Sequence, residues 1–550
     1  MRTTNLLLKS GMRFRGVALS ILFLFTFSFS ALSGSIVQGE TLYNGKQTFL
    51  FKKDHSFQNS DSTVSLLMTG SWRLEKQTLL LSGLIKDSIP VSDTLRICYT
   101  ADNRISFQKG NQFYTYKSKK ETKRNYFTNI SKGILGMLAL VFIGFLFSSD
   151  RKSINWSLVI KGVLLQVVLA LLILKAPFVE DFFDFISKGF VKVVDMAHEG
   201  ATFVFGDFSG GGVNQYVKNF ATWILPSVIF FSALSALLYY WGVLQRIVWL
   251  MAWVMKRLMG LSGAESVSAA GNVFLGQTEA PLLVKPYLGK MTKSEIMCLM
   301  AGGMATIAGG VLASYIGFLG GEDELQKIYF AKHLLTASLM SAPAAIVFAK
   351  IIVPEKEEIN TDLSVSKEKL GTNALEAITN GTTDGLKLAV NVGAMLIVFI
   401  SLVALANYIL LKVGHFTGLN DLVASWGHYP NLSFQAILGY SLSPVAWIMG
   451  VPWDDCMTVG QLLGEKTILN EFVAYLNLGT LKHIMSDKAT IMCTYVLCGF
   501  ANIASIGIQV GGIGTLAPER KGVLAKYGVK ALIAGTLACM STAVIAGMLF

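Results

Sequence analysis

The chain has 550 residues, a mean hydropathy of +0.52 and only 15% charged side chains. That profile excludes an ordinary soluble multidomain enzyme and fits a polytopic membrane protein. The formal charge of +12 is scattered as lysines and arginines in short loops beside apolar runs, which speaks for membrane orientation and against a phosphate-binding stripe or a nucleic-acid partner.

Residues 1–33 read as a signal peptide. Lys9, Arg13 and Arg15 lead an apolar run at 17–29, and Ala31-Leu32-Ser33 offers small residues for cleavage. An uncleaved anchor helix is the competing reading, and both start the following segment outside the cytoplasm. Residues 40–125 are polar and rich in Thr, Ser, Tyr and Phe. Short alternating runs there are separated by turn residues such as Asp102-Asn103 and Lys109-Gly110-Asn111, which predicts a small antiparallel β domain, periplasmic and accessory. Of the six cysteines only Cys98 precedes the membrane part, and no pair of CxxC motifs suggests zinc.

From residue 133 onward the fold class is all-α and membrane-spanning. Eight full spans are predicted at 133–148, 156–176, 220–242, 294–318, 331–351, 387–411, 488–510 and 528–550. These divide into a first half at 133–353, a charged cytoplasmic linker at 354–376 and a second half at 377–550. Between the second and third spans, residues 178–206 interleave acids and lysines with phenylalanines at helical spacing, the pattern of a helix lying in the membrane interface. Arg151, Lys152, Arg246, Lys256, Arg257, Arg520, Lys521 and Lys526 fall on one side of these spans. The acidic Glu322-Asp323-Glu324 falls on the other. That is the positive-inside asymmetry, with the β domain outside.

Two blocks do not fit full spans. Residues 263–291 are too short to cross twice but long enough for two half-helices of about 12 residues, which would meet near the midplane. Gln277, Thr278, Glu279 and Pro281 lie at that meeting point. An acidic side chain at mid-membrane costs about 2.5–3.5 kcal/mol, so Glu279 points to a polar solute site at the tip of a re-entrant hairpin. The second block, 453–484, places Glu471 within Asn470-Glu471-Phe472-Val473-Ala474-Tyr475 and enters from the opposite side. The segments after the two blocks also match. Gly303-Met304-Ala305-Thr306-Ile307-Ala308-Gly309 and Gly499-Phe500-Ala501-Asn502-Ile503-Ala504-Ser505 agree at four of seven positions. Two opposed units, each a hairpin followed by an interrupted helix, are the plan of secondary transporters built on inverted repeats. Freed backbone carbonyls at such breaks, with a hydroxyl and an amide oxygen, can hold a monovalent cation.

Gly276-Gln277-Thr278-Glu279-Ala280-Pro281, Asn470 to Tyr475, and Gly499-Phe500-Ala501-Asn502 with Ser505 resemble the signature motifs of the concentrative nucleoside transporter family. The resemblance covers about residues 133–550 and leaves out the β domain. It implies that Gln277, Thr278, Glu279 and Val311 face the nucleobase. It implies that Glu471, Asn502 and Ser505 hold the ribose, with Phe500 packed beside them. Asn272, Thr306 and the backbone carbonyls of Leu275 and Ile307 would form a sodium site. It further implies a homotrimer in a bacterial inner membrane that imports nucleosides by an elevator-like shift of the hairpin-bearing part. Coupling is to sodium in this reading, with proton coupling as the alternative. Two plainer readings stand beside these: Glu279 as a structural carboxylate on freed hairpin amides, and Thr306 as a hydroxyl bonded back to the carbonyl one turn earlier. A membrane enzyme using Glu279 and Glu471 as an acid/base pair is disfavoured, since neither HExxH nor GxSxG occurs. No catalytic residue or other cofactor is expected.

Overall fold

The computed structural model describes the backbone of eight strands between residues 41 and 118 and, with side chains, residues 127–206, 219–321, 323–360, 362 and 371–550. The expected signal peptide at 1–33, Glu322 and residues 363–370 of the expected linker lie outside the described residues.

The N-terminal unit holds β1 (Thr41–Tyr43), β2 (Gln47–Phe51), β3 (Ser56–Asp61), β4 (Met68–Glu75), β5 (Thr78–Ile85), β6 (Ile89–Ala101), β7 (Arg104–Lys109) and β8 (Gln112–Ser118). Each strand pairs antiparallel with the next, and β8 returns to β1 with Ser118 opposite Leu42, closing a barrel. Closure satisfies the edge amides that an open sheet would expose.

The second unit is helical. Its first half comprises α1 (Tyr126–Leu146), α2 (Trp156–Lys175), α3 (Pro177–Phe205), a π-turn (Phe220–Ile224) leading into α4 (Leu225–Tyr240), α5 (Val243–Met259), α6 (Gly263–Asn272), a 3-10 turn (Ala280–Val284), α7 (Lys285–Leu288), α8 (Lys293–Ala305), α9 (Gly309–Gly320) and α10 (Glu324–Ile352). The second half comprises α11 (Ala374–Thr417), α12 (Leu419–Ser425), α13 (Phe434–Ile448), α14 (Cys456–Ile468), α15 (Glu471–Leu481), α16 (Asp487–Val496), α17 (Ile503–Leu516) and α18 (Lys521–Leu549). Among the described residues, seven segments are long and apolar enough to cross a membrane when α8 and α9 are taken together. The sequence counts one more, at 488–510, where α16 has 10 residues and α17, after a break, has 14.

The packing separates an inner from an outer set of helices. The apolar window of α10 is 89% buried and that of α18 is 72% buried, and both pack on α8 and α16. The window of α11 is only 11% buried. It leaves Leu386, Val390, Ile397, Ile400 and Leu405 exposed while one face lies on α4. Gly381 and Gly385 allow that approach, since a Cβ at either would come within 2.8 Å of α4 atoms.

The sequence also explains where the site helices start and stop. Ser262 and Thr292 each open a helix with a reciprocal capping box, with Glu265 and Glu295 as partners. Asn470 and Asn502 cap α15 and α17 through their side-chain oxygens. The first hairpin differs from the expected pair of 12-residue arms. Its first arm, α6, has 10 residues, and its second is the 3-10 turn followed by the four-residue α7. Pro281 and Pro286 remove amide donors from that arm, so a continuous helical ladder cannot form there.

Candidate solute site at two interrupted helices

Two backbone breaks lie back to back. One separates α8 from α9 and the other separates α16 from α17. The Phe500 amide donates to the Thr306 carbonyl at 3.3 Å. A Cβ on Gly499 would sit 2.7 Å from the Ala305 carbonyl oxygen, so the two chains are in direct backbone contact. The tip of the first hairpin joins the same place, because the Gly309 amide, opening α9, donates to the Phe274 carbonyl at 3.1 Å.

An unbroken chain of polar contacts crosses this junction. Gln277 Nε2 donates to Ser505 Oγ at 3.2 Å. The Ser505 amide donates to Asn502 Oδ1 at 2.9 Å, which is the cap of α17. Asn502 Nδ2 donates to Glu471 Oε2 at 2.9 Å, and the Tyr315 hydroxyl donates to Glu471 Oε1 at 3.3 Å. Glu471 is only 3% exposed, so these donors are what a buried carboxylate requires. The polar chain links the 263–291 block to the 453–484 block. Gln277 Oε1 is buried and accepts no hydrogen bond among the described residues, leaving an acceptor for a ligand.

The remaining expected positions fall around this chain. Gln277 packs on Gly303 of α8, where a Cβ would lie 2.9 Å from its own Cβ. Thr278 is half-buried, with its methyl against Gly512 of α17. Glu279 is exposed, and its carboxylate folds over Gly276, where any Cβ would collide with it. Val311 is buried in the first turn of α9, one turn before Tyr315. Phe500 is half-buried beside Asn502.

Of the four expected cation ligands, Asn272 and Thr306 both approach Gly302. Asn272 ends α6, is fully buried, and has neither Oδ1 nor Nδ2 hydrogen-bonded among the described residues. A Cβ on Gly302 would stand 3.0 Å from Asn272 Nδ2. Thr306 Oγ1 donates to that same Gly302 carbonyl at 2.8 Å, the back-bonded geometry of the plainer reading. A hydroxyl that donates its proton keeps lone pairs for a cation. Leu275 and Ile307 lie outside the helical ladders, in the hairpin tip and the α8–α9 break. Amide, hydroxyl and carbonyl oxygens are the ligand types a hard cation takes, and Asn272 keeps its amide oxygen without a hydrogen bond among the described residues.

Two contributors escaped the sequence reading. Tyr315 donates to Glu471 and stacks on Tyr475 with ring centroids 4.2 Å apart. Gln509, fully buried, donates to the Met300 carbonyl at 3.0 Å. Each sits four residues after an expected site residue, Val311 and Ser505. The same-face spacing of helices was the available signal.

Interrupted helices and a continuous polar path inside an apolar helical body with seven segments long enough to span a bilayer fit a membrane transport protein. The family models "Na+ dependent nucleoside transporter N-terminus", "Nucleoside recognition" and "Na+ dependent nucleoside transporter C-terminus" match residues 135–208, 221–322 and 333–547. The Helicobacter pylori nucleoside permease NupC is 38% identical over 425 residues, covering 76% of this chain and 96% of that one. The Bacillus subtilis transporter YutK is 38% identical over 76% of this chain and 99% of its own length. The solved structure of CNTnw in an inward-facing substrate-bound state aligns with a TM-score of 0.67 at 38% identity, over 76% of this chain and 98% of that one. The chain belongs to the concentrative nucleoside transporter family, whose members are transporters and not enzymes.

Proposed function

We propose that this protein imports nucleosides across a bacterial inner membrane, driven by a sodium gradient. The observation that carries the reading is the polar chain from Gln277 through Ser505 and Asn502 to Glu471, with the orphaned amide of Asn272 on its flank. Glu471, Asn502 and Ser505 hold the ribose hydroxyls, Phe500 packs against the sugar, and Gln277, Thr278, Glu279 and Val311 meet the base. Asn272, Thr306 and the carbonyls of Leu275 and Ile307 hold sodium as co-transported cargo. The 263–291 and 453–484 blocks act as re-entrant hairpins that move with the broken helices as one body. The hydrogen bonds Gly309 to Phe274 and Phe500 to Thr306 tie that body together. The exposed apolar length of α11 suits lipid and the neighbouring protomers of a homotrimer. The barrel of β1–β8 is a periplasmic accessory module, and uptake survives its deletion.

Two measurements test this. In proteoliposomes with labelled uridine or adenosine, replacing sodium by choline at constant pH stops accumulation. Uptake that persists in choline and follows an imposed proton gradient would transfer the coupling to protons. Asn272→Ala raises the sodium concentration for half-maximal uptake by about tenfold, equivalent to about 1.4 kcal/mol for one lost ligand. An unchanged sodium dependence moves the cation elsewhere.

A further inference from the structure

Lys466 is 2% exposed, near the end of α14, on the first arm of the second hairpin. Its ammonium donates to the Val496 carbonyl at 2.8 Å, at the last residue of α16. It forms no ion pair with any described residue. The adjacent Glu465 is no partner, since its carboxylate is taken by the amides of Gln461 at 3.0 Å and Asn477 at 2.8 Å. A buried ammonium held by a single neutral acceptor is costly unless a charge balances it. The carbonyl end of α16 supplies part of that balance through its dipole.

The rest of the balance lies across the hairpin turn. Only Leu469 and Asn470 separate α14 from α15, whose first residue is Glu471. Glu471 is itself buried, with neutral hydrogen-bond donors only, Asn502 and Tyr315. Both side chains reach the same α16–α17 break, Lys466 at the Val496 carbonyl and Glu471 at the Asn502 amide. The internal repeat makes the comparison sharper. The match that pairs Gly303 with Gly499 sets Met300 opposite Val496. Both carbonyls take a side-chain donor, the neutral Gln509 amide at Met300 and the charged Lys466 ammonium at Val496.

We propose that Lys466 is the permanent counter-charge of Glu471, a positioning residue that gives the second half of the site its own tethered cation. The free coupling cation is then left to the Asn272 side. This rests on the proposed role of Glu471 as an ionised acceptor for the ribose.

The test is a coupling experiment on the full-length protein in detergent, comparing thermal unfolding midpoints of the unmodified chain, Lys466→Met, Glu471→Gln and the double variant. Lys466→Met alone lowers the midpoint by about 5 °C or more, while the double variant stays within about 2 °C of Glu471→Gln alone. An equal drop in both backgrounds would make Lys466 a plain cap on Val496 and overturn the proposal. If Lys466→Met does not accumulate as folded protein, recovery of folded protein in the double variant supports the counter-charge, and continued failure overturns it. Nucleoside binding by Glu471→Gln tests the ribose role separately, so failure of one reading is not mistaken for failure of the other.

Discussion

Glu471→Gln is expected to abolish nucleoside uptake while leaving the helical unit folded. The carboxylate is locked in place from two sides. Asn502 cannot turn to suit a new partner, because its oxygen already accepts from the Ser505 amide and holds the start of α17. Its Nδ2 therefore always points at residue 471 and claims one oxygen. A glutamine satisfies that claim with Oε1 and presents an amide where the ionised side chain presents a second acceptor. A pair of ribose hydroxyls needs acceptors there. The lost acceptor costs about 2 kcal/mol and the remaining one, now neutral, is weaker by about 1 kcal/mol, together about two orders of magnitude in affinity. The change in volume is small and the apolar packing of Tyr315, Phe472 and Tyr475 is untouched. The measurement is labelled uptake in proteoliposomes beside size-exclusion and thermal profiles of the purified protein. Normal uptake by a folded variant would remove Glu471 from the ribose.

The reach and the limits of the sequence follow from what kind of signal each residue gives. Gln277, Glu279, Glu471 and Asn502 are legible because a polar or acidic group inside an apolar run is costly and asks for a reason. Asn272 and Thr306 are legible only through motif and repeat. Small polar residues are common in membrane helices, and Thr306 does make the ordinary back-bond to Gly302. The 488–510 stretch reads as one span because its hydropathy does not fall at the break. The interruption comes instead from the Asn502 cap, a local bond from the Ser505 amide, and from the close approach of Gly499 to Ala305, a tertiary contact. Tyr315 and Lys466 carry no signal of their own in the sequence. Their partners, Glu471 and the Val496 carbonyl, are distant in sequence or hidden in the backbone. The second arm of the first hairpin departs from the expected half-helix because length alone takes no account of its two prolines.

Gly499→Ala should weaken both halves of the site at once, the result that most directly tests the back-to-back breaks. A Cβ there would stand 2.7 Å from the Ala305 carbonyl oxygen, 2.7 Å from Cys539 Sγ and 2.8 Å from the Ala305 carbonyl carbon. Two of those atoms are backbone and cannot swing aside. Overpacking of this kind costs about 1–3 kcal/mol. The strain falls on the weakest link, the 3.3 Å hydrogen bond from the Phe500 amide to the Thr306 carbonyl. Parting these chains displaces Thr306 in the proposed cation site and Phe500 with Asn502 in the proposed nucleoside site. The nucleoside KM and the sodium concentration for half-maximal uptake are therefore expected to rise together, each by about tenfold, since about 1.4 kcal/mol corresponds to that factor. Gly507→Ala is the control. It lies on α17, where an added Cβ would meet no atom within 4 Å, and alanine favours the helix. If Gly499→Ala shifts one constant and spares the other, the two breaks do not act as a single joint, and cation and nucleoside are coupled through some other part of the molecule.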